Sequence, residues 1–156
     1  MTAQRPYIAV AGSGEAPPAD LEAAEHVGRT LAARGAVVVC GGRGGVMEAA
    51  CRGAKEGGGT TVGIFPGLDR AEANPYVDVA VPTGLGEARN ALVVRAADAL
   101  IAVGGEWGTL SEIALAKRAG KRVVGLGTWE LSRAGRPVDG IVAASDPEEA
   151  VELVLG

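Results

Sequence analysis

The stretch Val103-Gly-Gly-Glu-Trp-Gly-Thr-Leu-Ser-Glu112 decides the fold of this chain. It joins the end of an apolar run to two glycines, and then to a threonine and a carboxylate that are typical of a helix start. The pattern therefore predicts a strand, a tight turn and a helix. Glycine lets backbone N–H groups approach an anion closely, and the first turn of a helix adds unpaired donors and the positive end of its dipole. The stretch favours a nucleotide or phosphate site.

Two further stretches have the same design. Val37-Val-Val-Cys-Gly-Gly-Arg-Gly-Gly-Val-Met-Glu48 again joins an apolar run to glycines and a helix start, and Gly12-Ser-Gly14 follows the apolar run at 7–11. Each turn alone is more typical of a structural strand-to-helix connection, whereas three together favour a shared ligand crevice. Arg43 has the fork geometry that binds phosphate, or it is a solvated loop arginine. The candidate ligand-binding residues are Gly12, Ser13, Gly14, Gly41, Gly42, Arg43, Gly44, Gly45, Gly104, Gly105, Trp107, Gly108 and Thr109.

Strand and helix patterns alternate along the whole chain. Short apolar runs predict strands at 7–11, 36–40, 61–65, 76–81, 98–103, 122–126 and 140–143. Helices are predicted at 21–34, 46–56, 86–97, 109–119 and 146–155, the first with Asp20 as its N-cap. Strands that are apolar throughout need cover on both faces, so we expect one Rossmann-like α/β domain over 1–156 with a doubly wound parallel sheet. Ligands in such sheets bind at the carboxyl ends of the strands, where all three glycine-rich turns fall.

Composition and charge argue against several classes of function. A net charge of −4 without a basic stretch argues against nucleic acid and a membrane surface as partners. No apolar run reaches the roughly 18 residues of a spanning helix, and we expect a cytoplasmic protein. Cys40 and Cys51 lack metal-ligand spacing and are expected to be buried free thiols. Because His26 is the only histidine and lies within a predicted helix, we expect no metal site.

The common nucleotide fingerprints are missing. Gly12-Ser-Gly14 is followed by Pro17 where a dinucleotide fingerprint has its third glycine, and no Gly-Lys-Ser/Thr sequence occurs. NAD binding and ATP hydrolysis are therefore disfavoured. The expected partner is a small phosphorylated ligand, and the sequence by itself requires no cofactor.

Three segments carry a resemblance to a known family. Gly41-Gly-Arg-Gly-Gly-Val-Met-Glu48, Ala88-Arg-Asn-Ala91 and Gly108-Thr-Leu-Ser-Glu112 are similar to motifs of the Lonely guy superfamily, long mislabelled as lysine decarboxylases. Its cytokinin-activating members hydrolyse the N-glycosidic bond of adenosine-type monophosphates. Arg89 and Glu112 match their arginine and glutamate, so the resemblance implies this pair as the catalytic residues of a nucleoside monophosphate phosphoribohydrolase.

Where the chain departs from that pattern, it resembles a second subgroup. Asn90 replaces a lysine, Gly104 stands at a proline and Glu106 at a second glycine. The Arg-Asn pair and the run Gly120-Lys-Arg-Val-Val-Gly-Leu-Gly-Thr128 are similar to the molybdenum cofactor carrier proteins. This resemblance implies a carrier that binds an AMP-like nucleotide or the molybdenum cofactor. It also implies a homo-oligomer, dimer or tetramer, assembled through the apolar helix and flanks at 91–100.

The roles of the matched pair are open at this point. In an enzyme, Glu112 would position water or stabilise positive charge at the anomeric carbon, while Arg89 would hold phosphate or help the leaving base. Alternatively, Thr109 and Glu112 form only a capping box, and Arg89 is an ordinary exposed arginine. Lysine decarboxylation is rejected because that chemistry usually needs a pyridoxal-linked lysine. The three lysines lie away from the glycine-rich turns, at Lys55, Lys117 and Lys121.

Overall fold

Seven parallel strands form the central sheet in the computed structural model, which describes residues 4–156. The first three residues of the predicted domain lie outside that range. The seven strands are β1 (Tyr7–Gly12), β2 (Val37–Cys40), β3 (Thr60–Phe65), β4 (Val79–Pro82), β5 (Ala99–Val103), β6 (Arg122–Leu126) and β9 (Val142–Ala143), while β7 (Ser132–Arg133) and β8 (Arg136–Pro137) form a separate hairpin. The helices are α1 (Pro18–Ala33), α2 (Val46–Glu56), α3 (Asn90–Ala96), α4 (Trp107–Arg118) and α5 (Pro147–Leu155), with 3-10 turns at Arg70–Glu72 and Gly86–Arg89.

The strand order places β1 at the point where the chain reverses its direction across the sheet. The order is β4-β3-β2-β1-β5-β6-β9, so the chain first builds outward from β1 on one side and then returns to its other side. Ile8 of β1 is paired with Val38 of β2 and with Ala99 of β5. The predicted doubly wound parallel sheet is confirmed. Its switch point lies between β1 and β5.

Alternate residues of each central strand supply two cores. Ile8 and Val10 point to the face covered by α1, α2 and α5, whereas Ala9 and Ala11 point to the face covered by α3 and α4. Because both faces are covered, the strands read as continuous apolar runs in the sequence. Small side chains in β1 let the two helical layers lie close to the strand that carries the first glycine-rich turn.

Several predicted boundaries differ from the structure. The helix predicted at 86–97 is divided into a 3-10 turn and α3, which ends at Ala96. Ala99 and Leu100 belong to β5 and are buried, so the run at 91–100 does not offer one apolar helix for assembly. Leu92 is its one large apolar side chain that is substantially exposed among the described residues, at 40%. The segment at 128–138, where neither strand nor helix is predicted, contains the β7-β8 hairpin.

The N-cap prediction for Asp20 is wrong. Pro17 is the N-cap of α1 and makes no side-chain cap, while Asp20 lies within the first turn. Pro18 at the start of the helix has a fixed φ that suits this position. The Asp20 carboxylate instead packs against Gly104, where a Cβ would overlap it.

Within residues 4–156, none of the helices has the length and apolar character to cross a bilayer.

Candidate ligand-binding site

A cavity of about 420 Å³ lies at the carboxyl edge of the sheet, above the switch point between β1 and β5. Its wall takes residues from the turns that follow β1, β2 and β5, and from the segment before α3. The lining residues are Gly12, Ser13, Gly14, Arg43, Met47, Pro66, Gly86, Glu87, Arg89, Asn90, Glu106, Gly108, Thr109 and Glu112. All three glycine-rich turns therefore meet at one cavity.

Eight of the candidate residues line this cavity and seven do not. Those on the wall are Gly12, Ser13, Gly14, Arg43, Arg89, Gly108, Thr109 and Glu112. Those outside it are Gly41, Gly42, Gly44, Gly45, Gly104, Gly105 and Trp107.

Glycines outside the wall hold the first two turns against each other. Gly45 has a φ of 65°, and a Cβ on it would overlap the carbonyl oxygen of Ser13. The next amide, Val46 N–H, donates to that same oxygen at 3.0 Å. A Cβ on Gly41 would overlap the Arg89 guanidinium, so the absence of a side chain there makes room for the arginine. These glycines serve close packing, which positions the polar groups of the wall.

Two hydrogen bonds join the third glycine-rich turn, which follows β5, to the end of β6 and the residues after it. Gly104 donates its N–H to the Leu126 carbonyl at 2.9 Å and accepts a hydrogen bond from Thr128 Oγ1 at 2.5 Å. Gly105, with a φ of 106°, packs directly on the Thr109 side chain. Thr109 is buried, at 3% exposure, and faces the cavity.

Arg89 is a partly buried cation that has no carboxylate partner among the described residues. Within residues 4–156, no carboxylate oxygen lies within ion-pair distance of its guanidinium, and its buried Nε–H makes no hydrogen bond. Nη1 donates to Asn90 Oδ1 at 2.9 Å. Burial lowers the pKa of Arg89, and the charge of Arg43 lowers it further, while Glu112 opposes the shift. Two guanidinium groups thus lie near each other at the cavity, an arrangement that an anion stabilises.

Arg43 approaches the cavity from an exposed position on the second turn. Asn74 Nδ2 donates to the Arg43 carbonyl at 2.8 Å, and Asn74 N–H donates to Gly42 O at 2.9 Å. These two bonds tie the turn to the loop before β4. They fix the backbone that carries Arg43 while leaving its side chain free to meet a ligand.

Glu112 is a buried carboxyl group on the cavity wall. It is 7% exposed, and no hydrogen bond to its side chain is found in the described part of the chain. Burial raises the pKa of Glu112 to about 7, although the positive charge of Arg89 acts in the opposite direction. A carboxyl group of this kind exchanges a proton near neutral pH. Perturbed groups in a cleft are typical of functional sites.

The capping-box alternative for Thr109 and Glu112 is wrong. Glu106 is the N-cap of α4 and the helix begins at Trp107, so Thr109 is its third residue. Glu112 therefore lies almost two turns from the helix start and faces the cavity. The alternative that Arg89 is an ordinary exposed arginine is also wrong, because its side chain is partly buried and packs over Gly41.

The position of Trp107 does not suit its predicted place in the ligand site. It is the first residue of α4, its side chain is 72% exposed, and its ring centroid lies 5.0 Å from that of Trp129. Trp129 Nε1 donates to the Glu106 carbonyl at 3.2 Å. The two indoles cover the outer side of the third turn, whereas the cavity lies on its inner side.

Six wall residues were not among the sequence candidates: Met47, Pro66, Gly86, Glu87, Asn90 and Glu106. Met47, Asn90 and Glu106 lie within the motifs quoted from the sequence, and that position is the signal by which they can be found. Pro66 and Glu87 come from the connections after β3 and before α3, which carry no motif. Only the fold brings those connections to the cavity.

Among residues 4–156 there is no group of three or more His, Cys, Asp or Glu side chains that could hold a metal ion. The buried free thiols predicted at Cys40 and Cys51 are confirmed, with Sγ atoms 3.5 Å apart. Lysine side chains are missing from the cavity wall.

Comparisons with known proteins cover almost the entire chain. A model of the SLOG cluster4 family matches residues 5–151. An uncharacterized protein of Archaeoglobus fulgidus is 42% identical over 148 residues, which are 95% of this chain and 93% of that protein.

Two solved structures agree with these sequence matches. The molybdenum cofactor binding protein of Rippkaea orientalis superposes with a TM-score of 0.88 and 38% identity, over 99% of this chain and 98% of that one. The molybdenum cofactor carrier protein of Chlamydomonas reinhardtii superposes with a TM-score of 0.86 and 36% identity, over 97% of both chains.

Proposed function

The chain belongs to the SLOG cluster4 family and has the fold of molybdenum cofactor carrier proteins, and from this premise we propose that it binds a phosphorylated ring compound without converting it. The ligand class is a nucleotide or a molybdopterin-type cofactor carried as cargo. Its phosphate lies against Arg89 and Arg43, and its ring lies in the remaining part of the cavity.

The observation that carries this proposal is the unpaired charge of Arg89. A guanidinium that loses water on burial needs a compensating anion, and the described protein residues supply none within ion-pair distance. Arg43 adds a second positive charge close enough to affect the first. A phosphate would neutralise both and accept charge-assisted hydrogen bonds from them.

The rest of the wall suits a ring that carries hydrogen-bond donors. Met47 and Pro66 offer apolar contact, while Glu87 and Glu106 offer acceptors for ring N–H groups. The volume of about 420 Å³ falls within the roughly 300–1,000 Å³ of small-molecule sites. Ionised Glu87 and Glu106 would repel the phosphate, so we assign these two to the ring end, while Glu112, whose pKa is raised to about 7, is the carboxyl group near Arg89.

Binding to inorganic pyrophosphate, AMP and isolated molybdenum cofactor tests the proposal. Calorimetry measures the first two, and molybdenum that elutes with the protein in gel filtration measures the third. We expect binding of at least one probe, weakened about 10- to 100-fold by Arg89→Ala because a charge-assisted contact is lost. Arg95→Ala, an exposed arginine of α3 outside the cavity wall, is the matched control. Failure of all three probes, or equal affinity in the two variants, would refute the proposal.

A second candidate is a nucleoside monophosphate phosphoribohydrolase, which the buried carboxyl group of Glu112 favours. With a pKa of about 7, that group is ionised in half of the molecules near neutral pH. An ionised Glu112 would orient water or stabilise positive charge at the anomeric carbon, while Arg89 would hold the phosphate. Incubation with AMP, with free adenine measured by chromatography, decides between the candidates. Adenine released by the native protein and lost in Glu112→Gln would make it an enzyme and contradict the carrier proposal.

We also propose a cytoplasmic homo-oligomer, a dimer or a tetramer, that does not bind nucleic acid. The net charge of −4 supports the last point, and exposed Leu92 on α3 supports assembly through that surface. Light scattering of the native protein and of Leu92→Asp measures the assembly. A monomeric native protein would contradict it. Retardation of a single-stranded oligonucleotide would contradict the exclusion of nucleic acid.

A further inference from the structure

Cys40 and Cys51 lie side by side next to the second glycine-rich turn. Their Sγ atoms are 3.5 Å apart, and both thiols are free and fully buried. Cys40 is the last residue of β2, Cys51 lies in α2, and Met47 packs with both of them. Met47 also lines the cavity. The proposed ligand contacts use neither thiol.

We propose that Cys40 and Cys51 are a redox-active pair, and that their disulfide closes a covalent ring around the Gly41–Gly45 turn and weakens ligand binding. The thiol chemistry stands independently of the proposed function. Only the effect on binding rests on it.

The geometry requires a short movement. A disulfide has an S–S length of roughly 2.05 Å, so the sulfurs must approach by about 1.5 Å. Cys40 lies in a strand that is paired on both sides, whereas Cys51 lies in a helix covering the sheet. We therefore expect mainly α2, and the turn that joins it to β2, to move when the sulfurs approach.

The environment distinguishes the two sulfurs. Gly42 N–H donates to Cys40 Sγ at 3.3 Å. The neighbouring Cys51 thiol lowers the pKa of Cys40, and Gly42 N–H and the charge of Arg89 act in the same direction, although burial and the charge of Glu112 oppose the shift. The same contact raises the pKa of Cys51, and burial raises it further. Cys40 is thus the nucleophile of the pair, because the thiolate is the reactive form.

Hydrogen peroxide is the oxidant. The Cys40 thiolate attacks one peroxide oxygen, the O–O bond breaks, and the other oxygen leaves as water after taking up the thiol proton. Cys51 sulfur then attacks the Cys40 sulfenic acid. The S–S bond forms, the S–O bond breaks, and hydroxyl leaves with the Cys51 proton as a second water. Two thiols lose two electrons in total, and the peroxide gains two.

The ring would enclose a part of the ligand site. Residues 41–50 lie between the two cysteines and include Arg43 and the start of α2. Gly41 packs under the Arg89 guanidinium, and Val46 N–H is bonded to Ser13 O. A displacement of α2 or of the turn therefore moves the backbone that carries Arg43 and the surface that supports Arg89.

The chemistry is tested on the full-length native protein with one equivalent of hydrogen peroxide. We expect a mass loss of about 2 Da, a linked Cys40–Cys51 peptide and recovery of both thiols with dithiothreitol, since a disulfide is two hydrogens lighter. Cys51→Ala should instead give a Cys40 sulfenic acid that dimedone traps, and Cys40→Ala should give neither product. Thiols that react only after unfolding, or disulfides only between chains, would overturn the proposal.

Its effect on the turn is measured without a ligand by hydrogen–deuterium exchange. We expect amides at 41–50 to exchange at least tenfold more slowly in the oxidised protein, and pyrophosphate to bind at least tenfold more weakly. Unchanged exchange would overturn the ring's effect on the turn. If the reduced protein binds none of pyrophosphate, AMP and molybdenum cofactor, the proposed function alone is contradicted, because mass and exchange still decide the disulfide.

Discussion

The Arg89 guanidinium is held by the side chain of the residue that follows it. Nη1 donates to Asn90 Oδ1 at 2.9 Å, and Asn90 Nδ2 in turn lies 3.2 Å from Ser111 Oγ of α4. Arg89 ends the 3-10 turn and Asn90 begins α3, so the bond spans the junction between them. Asn90 is 9% exposed, and its amide therefore has little freedom to change partners. Asn90 orients the Arg89 guanidinium but leaves its charge in place. A carboxylate at this position would neutralise that charge.

Replacement of Asn90 by alanine should weaken ligand binding through Arg89. We expect pyrophosphate affinity to fall about 5- to 20-fold, which is part of the roughly 1.5–3 kcal/mol that a hydrogen bond to a charged group contributes. Calorimetry measures this fall. Ser111→Ala, which removes the partner one step further away, should change affinity less than about threefold. Equal losses in the two variants would indicate a general disturbance of the contact between α3 and α4.

Glu112→Gln should stabilise the protein at alkaline pH and have little effect in acid. The carboxyl pKa rises from 4.5 in the unfolded chain to about 7 in the folded protein, so the native state loses stability as pH rises through this window. The full cost above pH 7 is about 3 kcal/mol. Urea unfolding at pH 8 should show a gain of that order, and at pH 5 of about 1 kcal/mol or less.

The exposed Glu130 provides the control for this experiment. Glu130→Gln should change the free energy of unfolding by less than about 0.5 kcal/mol at both pH values. A gain in Glu112→Gln that is independent of pH would contradict the titration of Glu112 over this range.

Gly45→Ala should be far more destabilising than Gly58→Ala. Both glycines have positive φ, at 65° and 74°, but a Cβ on Gly45 would overlap Ser13 O, whereas Gly58 has open space. Gly45 also has a ψ of −132°, outside the left-handed helical region, so strain and overlap together should raise its cost above about 3 kcal/mol, against about 1 kcal/mol at Gly58. Thermal and urea unfolding of both variants measure the difference, and similar costs would show that the two turns separate freely.

Trp107→Ala should leave ligand affinity within about twofold of the native value. Its indole packs on Trp129 outside the cavity and reaches no group on the inner wall. Calorimetry with pyrophosphate and AMP makes the comparison. A larger loss for AMP than for pyrophosphate would mean that the indole turns inward to stack on the base.

Much of the fold is predictable from local pattern. The apolar runs at 7–11 and 99–103 predict strands, and the glycine that follows each run predicts where the strand ends. The Lonely guy resemblance and its carrier-like subgroup are confirmed by the family match and by the two structures. The end of α3 and the start of β5 are harder to predict, because the apolar run at 91–100 continues across both without a break in composition.

The candidate site is only partly predictable from the sequence, because a glycine in such a turn either lines the cavity or allows neighbouring segments to pack closely. Gly14 faces the cavity with open space, whereas Gly45 and Gly105 pack against neighbouring backbone or side chain, and all three look alike in sequence. Distinguishing them needs the distance between turns that are about 30 to 90 residues apart. Trp107 illustrates the same limit, since one step around the helix separates a residue facing the cavity from one facing outward.

The strand order also sets a sequence of events during synthesis. β1 is made first, yet one of its edges is completed only when β5 follows, with Ile8 beside Ala99 and Tyr7 N–H bonded to Asp98 Oδ2 across 91 residues. During synthesis, the half-sheet of β1 to β4 therefore has an unpaired, apolar edge at β1 until β5 is made. Such an edge is a template for wrong pairing with other chains, and long-range parallel pairing is slow to form. The nascent chain is most vulnerable to aggregation before residue 103 emerges.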